Sequence, residues 1–345
     1  MTTQPLNVGI IYNAFEPALG RTDERLSEES VAEVAKGVAE AVIHLGHRAS
    51  LIPLQRSLLN FLHRIKDENL DVLVNLCEGY YGRPQWESNV AAALELIGVP
   101  FTGNPFRTLA ICQDKFRTKA VLNFHNLPTA PSLVISSPDQ PAEILLPAIV
   151  KPNMEDASLG IRPDSVVYDR ESLSQQVKKV LDMYKQPALV EKYIDGREFN
   201  VAILDNKEKI ALPVSEIDFS TMPESTPRIC SYEAKWFQDD ILCKTTIPLC
   251  PAPIEDDLRE HIQKTALAAF EAMGCRDYAR VDFRMDKQGN LFILEVNPNP
   301  DISLDAGYVR ALKAAGIAYE KFWAGMLAKA LDRREIHAST NGTSR

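Results

Sequence analysis

Ala279-Arg280-Val281-Asp282-Phe283 and Leu291-Phe292-Ile293-Leu294-Glu295-Val296-Asn297-Pro298-Asn299-Pro300 are two apolar arms around a glycine-containing turn, Met285-Asp286-Lys287-Gln288-Gly289-Asn290. This pattern predicts a β-hairpin. Side chains alternate along a strand with a period of two, so Glu295 and Asn297 share a face. Pairing of the arms brings Asp282 to that face, and Arg280, two residues earlier, projects the same way. Hard oxygen donors of this kind hold Mg2+ against phosphates. The bland alternative is that acidic residues at strand ends are simply solvated, and Asp286 and Lys287 read as turn residues and nothing more. Asp282 and Glu295 differ from them because they lie inside apolar runs, where a charge needs a partner or a metal.

Working outward, 345 residues suffice for two or three domains and a substantial core. The chain is 45% hydrophobic and 25% charged, which fits a soluble globular protein. A formal net charge of -9 argues against general nucleic-acid binding, which needs a basic surface, but allows a local basic pocket for a nucleotide. No apolar run reaches the length of a membrane span, so no membrane partner is expected. The N-terminal residues run straight into a strand without a signal-peptide pattern, and a cytoplasmic location is expected. Cys77, Cys112, Cys230, Cys243, Cys250 and Cys275 are scattered and form no C-x-x-C pair, which predicts reduced thiols and no zinc site.

The first hundred residues alternate strand and helix. Val8-Gly9-Ile10-Ile11-Tyr12 precedes an amphipathic helix over 28–45, with Val31, Val34, Val38, Ala41 and Val42 on one face and Gly46 at its end. Strands follow at 49–53 and 72–76, and continuous apolar strands between helices predict a parallel sheet covered on both faces. Pro100-Phe101-Thr102-Gly103-Asn104-Pro105 reads as a boundary. Beyond it come a helix over 106–124, strands at 131–135 and 148–152, a polar loop, a helix over 171–184 and a strand at 188–194. The remainder holds strands at 198–204 and 210–217, a helix over 256–273, the hairpin and two terminal helices. The expected organisation is an N-terminal α/β, substrate-side domain over 1–104, a small central lobe over 105–190, a C-terminal lobe with the metal site over 191–337, and a disordered polar tail over 338–345.

Other positions carry chemistry. Lys151 ends an apolar strand, where a lysine is costly unless it meets an anion or snorkels to solvent. Residues 155–160, Glu-Asp-Ala-Ser-Leu-Gly, read either as a plain turn or as a lid whose small residues let backbone N–H groups approach phosphate oxygens. Neither G-x-x-x-x-G-K-[ST] nor G-x-G-x-x-G occurs, which disfavours P-loop and Rossmann readings. Val190-Glu191-Lys192-Tyr193-Ile194, followed by Asp195-Gly196-Arg197-Glu198, can present backbone groups to an adenine and an acid to a ribose.

The ordered set of lysines, linker and hairpin resembles the ATP-grasp superfamily and, within it, the D-alanine–D-alanine ligases, over about residues 7–330. The motifs that carry the resemblance are Gln113-Asp114-Lys115, Ile149-Val150-Lys151-Pro152, Ser158-Leu159-Gly160-Ile161, Glu191-Lys192-Tyr193-Ile194, Gly196-Arg197-Glu198-Phe199, Tyr232-Glu233-Ala234-Lys235 and the two hairpin arms. The resemblance implies an α/β and α+β chain, an ATP-grasp fold behind an N-terminal parallel-sheet domain. It implies that Lys115, Lys151, Lys235 and the lid residue Ser158 bind ATP phosphates. It implies that Glu191 and the backbone of Lys192 and Ile194 hold adenine, and that Glu198 holds ribose. Asp282, Glu295 and Asn297 would hold two Mg2+ ions, with Mn2+ as a substitute, and Arg280 would stabilise the tetrahedral intermediate. Glu29 matches the family glutamate that grips the first substrate's ammonium, and a homodimer is the family expectation.

Departures fall in the substrate half. The ligases' Gly-Ser-Ser lid is Asp156-Ala157-Ser158 here, and Trp236 replaces a tyrosine. Asp301 replaces a glycine, and Ala306 stands where a serine receives the second D-alanine's carboxylate. The strand-end motif Leu76-Cys77-Glu78-Gly79 lacks the family histidine. The expected activity is therefore that of an ATP-dependent carboxylate–amine ligase acting through an acyl phosphate on amino acids or a small peptide, with recognition rewritten around Trp236, Asp301 and Asp305. The rivals are a true D-alanine–D-alanine ligase, which Ala157 and Ala306 disfavour, and a non-catalytic nucleotide-binding regulator, which would need neither the metal set nor Arg280. Asp301 and Asp305 favour a cationic amine substrate, unless Asp301 turns outward or caps the chain near Leu304.

Overall fold

The computed structural model describes residues 4–14, 25–137, 140 and 143–341, and builds them around three sheets. Strands β1 (Asn7–Asn13), β2 (Arg48–Leu54) and β3 (Val72–Leu76) form a parallel sheet in the order β2-β1-β3. Val8, Ile10 and Val74 pack on one face against the helices Arg25–His44 and Tyr319–Asn341, through Val38, Val42 and Trp323. Ile11, Ile52 and Leu73 pack on the other against the helices Leu58–Asp67 and Glu87–Ile97, through Phe61 and Leu94. Burial on both faces accounts for the unbroken apolar runs of these strands.

Strands β4 (Ser132–Ile135), β5 (Ala148–Pro152), β6 (Val166–Val167) and β7 (Ala188–Lys192) form an antiparallel sheet in the order β4-β7-β5-β6, covered by the helix Arg170–Tyr184. The third sheet contains β8 (Gly196–Asp205), β9 (Lys209–Ala211), β10 (Ser215–Asp218), β11 (Ile247–Leu249), β12 (Tyr278–Asp286) and β13 (Leu291–Asn297). Its order is β11-β10-β8-β12-β13, with β9 paired to β8. Phe199, Val201, Val281, Phe283 and Ile293 bury one face against the helices Lys115–Phe124 and Asp256–Ala272, through Leu122, Ile262 and Phe270. With a period of two, Glu198, Asn200, Arg280, Asp282 and Arg284 must then face the other way, toward a cleft.

The hairpin forms as expected. Asp286 holds its turn by accepting from the amides of Gln288 and Asn290 at 2.9 and 2.8 Å, and Lys287 pairs with Asp195 at 2.6 Å. Gly196, where β8 leaves the linker, has a steric cause: a Cβ there would lie 1.9 Å from the Met285 carbonyl oxygen.

Three expectations change. The helix over 106–124 is two helices, Phe106–Gln113 and Lys115–Phe124, broken at Asp114. Asp114 adopts an extended backbone and accepts from the Arg117 amide at 3.0 Å and from Asn153 Nδ2 at 2.8 Å, so it caps the second helix. The strand over 210–217 is split, because Leu212-Pro213-Val214 leaves the β9 ladder before β10 begins. The terminal helix carries four residues into the predicted tail, to Asn341, since extending an existing helix is far easier than starting one. Residues 342–345 lie outside the described residues.

Candidate active site

A cleft of about 1200 Å3 opens among the three sheets. The carboxyl ends of the parallel strands reach it through Asn13, Leu54 and Glu78, the usual ligand position in open parallel sheets. The lid and linker supply Asp156, Ser158, Glu191, Lys192 and Ile194, and the third sheet supplies Glu198, Asn200, Arg280, Asp282, Glu295 and Asn297.

Register brings the predicted hairpin residues together. Asn200, Asp282 and Glu295 lie side by side across β8, β12 and β13, and Ala202, Arg280 and Asn297 form the next row. A bulge follows Asp282: Phe283 pairs with Ile293 while Asp282 pairs with Glu295, so Leu294 is the extra residue. Both Leu294 and Glu295 consequently line the cleft. The Asn297 oxygen accepts from the Asn299 amide at 3.0 Å, which fixes its orientation.

Lys115, Lys119, Lys151, Arg280 and Arg284 each meet a carboxylate. Arg280 donates to both Asp282 oxygens at 2.7 Å. Burial lowers the guanidinium's affinity for its proton, but Asp282 outweighs that and raises it above the ordinary value. Lys115, 3% exposed, reaches the Glu155 carbonyl at 2.5 Å, Asp156 at 3.2 Å and Glu295 at 3.5 Å. It therefore stands behind the cleft wall rather than in it, because the lid residues Glu155 and Asp156 cover it. Glu191 is clasped between Lys119 at 2.8 Å and Lys151 at 2.5 Å, and all three side chains are buried. Burial works to raise the Glu191 carboxyl, yet the two lysines hold it at about 2. For Glu295 burial acts the same way, and Lys115, Lys151 and Lys235 hold it at about 2.

The sign of the resulting pH dependence is fixed by these depressions. Stabilisation from a depressed carboxyl is present above its ordinary value of 4.5 and lost as pH falls toward 2. The melting temperature is expected to drop across that window, and Glu191→Gln is expected to flatten the drop in a melting series. An unchanged slope in the variant would remove Glu191 as the source.

The lid residues Ala157, Ser158 and Gly160 all have positive φ, at 53°, 62° and 76°. The Ser158 hydroxyl donates to the Cys230 carbonyl at 2.8 Å, and the Trp236 indole N–H donates to the Ala157 carbonyl at 3.2 Å. Trp236 thus lines the cleft and also fastens the lid. Lys235, in the short helix Tyr232–Trp236, is exposed on the cleft wall, and its charge acts on Glu198 and Glu295. Glu198 accepts from Arg284 at 3.2 Å, and burial raises its carboxyl. Arg284 also donates to the Ile194 carbonyl at 3.1 Å, and the Lys192 amide donates to the Pro131 carbonyl at 2.9 Å.

Asp301 and Asp305 both line the cleft and are exposed. Asp301 accepts from the Ser303 amide at 2.8 Å, an Asx turn, whereas the following helix begins only at Gly307. Ala306 precedes that helix without a side-chain cap. The Glu29 side chain lies outside the described residues.

Lys119, Arg284, Asn200, Asp156, Glu87 and Gln113 were not assigned roles from sequence. Arg284 and Asn200 follow from Asp282 and Glu198 by the period of two, so that signal was available. Glu87 carries no local signal, because chain crossing alone brings it to the cleft, and Gln113 is marked only as part of the Gln113-Asp114-Lys115 motif.

Among the described residues no group of three or more His, Cys, Asp or Glu side chains is placed to hold a metal ion together. The candidate metal set is two carboxylates and an amide. That donor set suits Mg2+, which takes one or two carboxylates and completes its shell with water and phosphate oxygens.

The three sheets and the cleft among them define an ATP-grasp fold. Two solved structures of D-alanine–D-alanine ligase from Bacillus anthracis, one complexed with ATP, superpose with TM-scores of 0.74 and 0.76 at 21% identity. Each covers 96% of this chain and 99% of its own. The sequence profile of the D-ala D-ala ligase C-terminus matches residues 135–328. The D-alanine–D-alanine ligase of Pelotomaculum thermopropionicum is 30% identical over 91% of this chain and 93% of its own length. The uncharacterized protein y4sG of Sinorhizobium fredii is 34% identical over 85% of this chain and 86% of its own. The chain belongs to the D-alanine–D-alanine ligase family, and with it to the ATP-dependent ligases that form a carbon–nitrogen bond.

Proposed function

We propose that the chain joins an amino-acid or small-peptide carboxylate to an amine through an acyl phosphate. The observation that supports this reading is the row Asn200–Asp282–Glu295 on one cleft face beside Arg280, with Lys115 buried behind it against Glu295: oxygen donors, a guanidinium and a buried ammonium in one place. Asp282, Glu295 and Asn297 would hold Mg2+, whose chemistry is to offset negative charge on the phosphates and the transferring group. Lys115, Lys151 and Lys235 neutralise those phosphates. The base lies against the linker. Pro131 accepts from the Lys192 amide but has no N–H to return, which suits the Lys192 carbonyl to an exocyclic amino group. The first substrate's carboxylate takes the terminal phosphoryl group, the amine attacks the acyl phosphate, and Arg280 receives the developing oxyanion. The lid, fastened through Ser158 and Trp236, excludes water from the acyl phosphate.

The test is ADP release with ATP, Mg2+ and a panel of amino acids, D-alanine among them because the relatives carry that name. ADP is expected only when a carboxylate and an amine are both present. No release with any pair, or release without an amine, would sink the reading. A narrower prediction concerns the lid. Asp156 competes with phosphate for Lys115, so Asp156→Asn should tighten ADP binding by about 1 kcal/mol, roughly fivefold, the scale for a half-exposed pair. Calorimetry would read it, and weaker ADP binding in the variant would refute the competition.

A further inference from the structure

One end of the cleft is rich in acid. Glu78, Glu87, Asp156 and Asp301 line it, and each of the first two carboxyls is influenced by Asp156. Among the described residues no lysine or arginine lies within ion-pair distance of Glu78, Glu87 or Asp301, whereas Asp156 pairs with Lys115.

The placement is rigid. Asn13 accepts from the Glu78 amide at 2.7 Å and donates to the Gly79 carbonyl at 2.6 Å. Gly79 has φ 155°, and a Cβ there would lie 2.7 Å from the Arg83 carbonyl oxygen. Glu87, 7% exposed, accepts from Asn299 Nδ2 at 2.9 Å, and the same nitrogen lies 3.2 Å from the Cys77 carbonyl oxygen. A second, independent observation concerns Gln113. Gln113 is 6% exposed, lines the cleft, and its Nε2 has no partner among the described residues. A buried amide donor without an acceptor is costly, so a ligand oxygen is the natural complement.

We propose that this wall is the specificity subsite for a diamino acid: Glu78 and Glu87 take its side-chain ammonium, and Gln113 takes a carboxylate oxygen of the same molecule. That this molecule is the amine substrate rests on the ligase reading above; its binding does not. Glu78 is exposed to the cleft, and desolvation there, then Asp301 and Asp156, raise its carboxyl; burial and Asp156 raise Glu87 well above the carboxylate range. Both are conditions that an entering ammonium relieves.

The experiment is calorimetric titration of the ADP- and Mg2+-loaded chain with lysine of either hand, alanine of either hand, and 1,5-diaminopentane. Lysine is expected to bind at least tenfold more tightly than alanine. Glu78→Gln should abolish that preference, and Gln113→Leu should weaken lysine while leaving diaminopentane unchanged. Glu78 is open to the cleft, so its variant should fold, which a melting curve checks. Equal binding of lysine and alanine, or a preference that survives Glu78→Gln, overturns the proposal even where ADP release occurs with neutral amino acids. Tight, Glu78-dependent lysine binding without ADP release upholds the subsite and overturns the ligase reading instead.

Discussion

Glu295→Gln is expected to lower turnover by about three orders of magnitude, the upper range for loss of one preorganised charge at a reacting centre. Glu295 is beside Asp282 in the sheet, and its carboxylate is the one that also meets Lys115. An amide of the same shape keeps the hairpin but loses the charge that would attract a divalent ion. Lys115 keeps Asp156 and the Glu155 carbonyl, so the fold should survive. ADP release at saturating ATP measures the first effect and circular dichroism the second. A folded variant with turnover within tenfold of the parent would remove Glu295 from the metal set.

The second large effect is on stability. Glu191, Lys119 and Lys151 form a buried charge cluster with Glu191 at its centre. Glu191→Gln leaves two buried ammonium groups without their counterion, and breaking such a pair from one side costs about 3–5 kcal/mol. The melting temperature should fall by roughly 4–7 °C. Saturating ADP should restore more of it in the variant than in the parent, because phosphates supply the missing negative charge beside Lys151. A drop under two degrees, or equal nucleotide stabilisation in both proteins, would show that the lysines do not depend on this carboxylate.

Local periodicity made much of this legible. The hairpin's alternation placed Arg280, Asp282, Glu295 and Asn297 on one face because a strand permits only two faces. The parallel sheet was readable because strands buried on both sides must be apolar throughout. What stayed hidden depends on distant pairing. The bulge at Leu294 follows from how β12 and β13 align, which no single arm specifies. Glu191 read as a ligand for adenine, but the helix Lys115–Phe124 brings Lys119 against it, a contact across 72 positions of chain. The break at Asp114 was written in its type, a residue that caps helices, yet capping there depends on Asn153 arriving from β5's end.

The stretch read as a boundary, residues 100–105, has a further consequence. The Gly103 amide donates to Asp277 at 2.8 Å, and Asp277, 0% exposed, also accepts two bonds from Arg333 at 2.7 and 2.8 Å. Arg333 reaches the Phe101 carbonyl at 2.8 Å, and Asn104 donates to the carbonyls of Tyr278 and Pro298 at 2.8 and 2.6 Å. Three parts of the gene, remote from one another, thus encode one junction. A crossover near codon 104 between two relatives would inherit Gly103 from one parent and Asp277 with Arg333 from the other. Such hybrids should survive only where both parents keep the trio, so the front third of this chain is not a cassette that recombination can exchange freely for a new substrate preference.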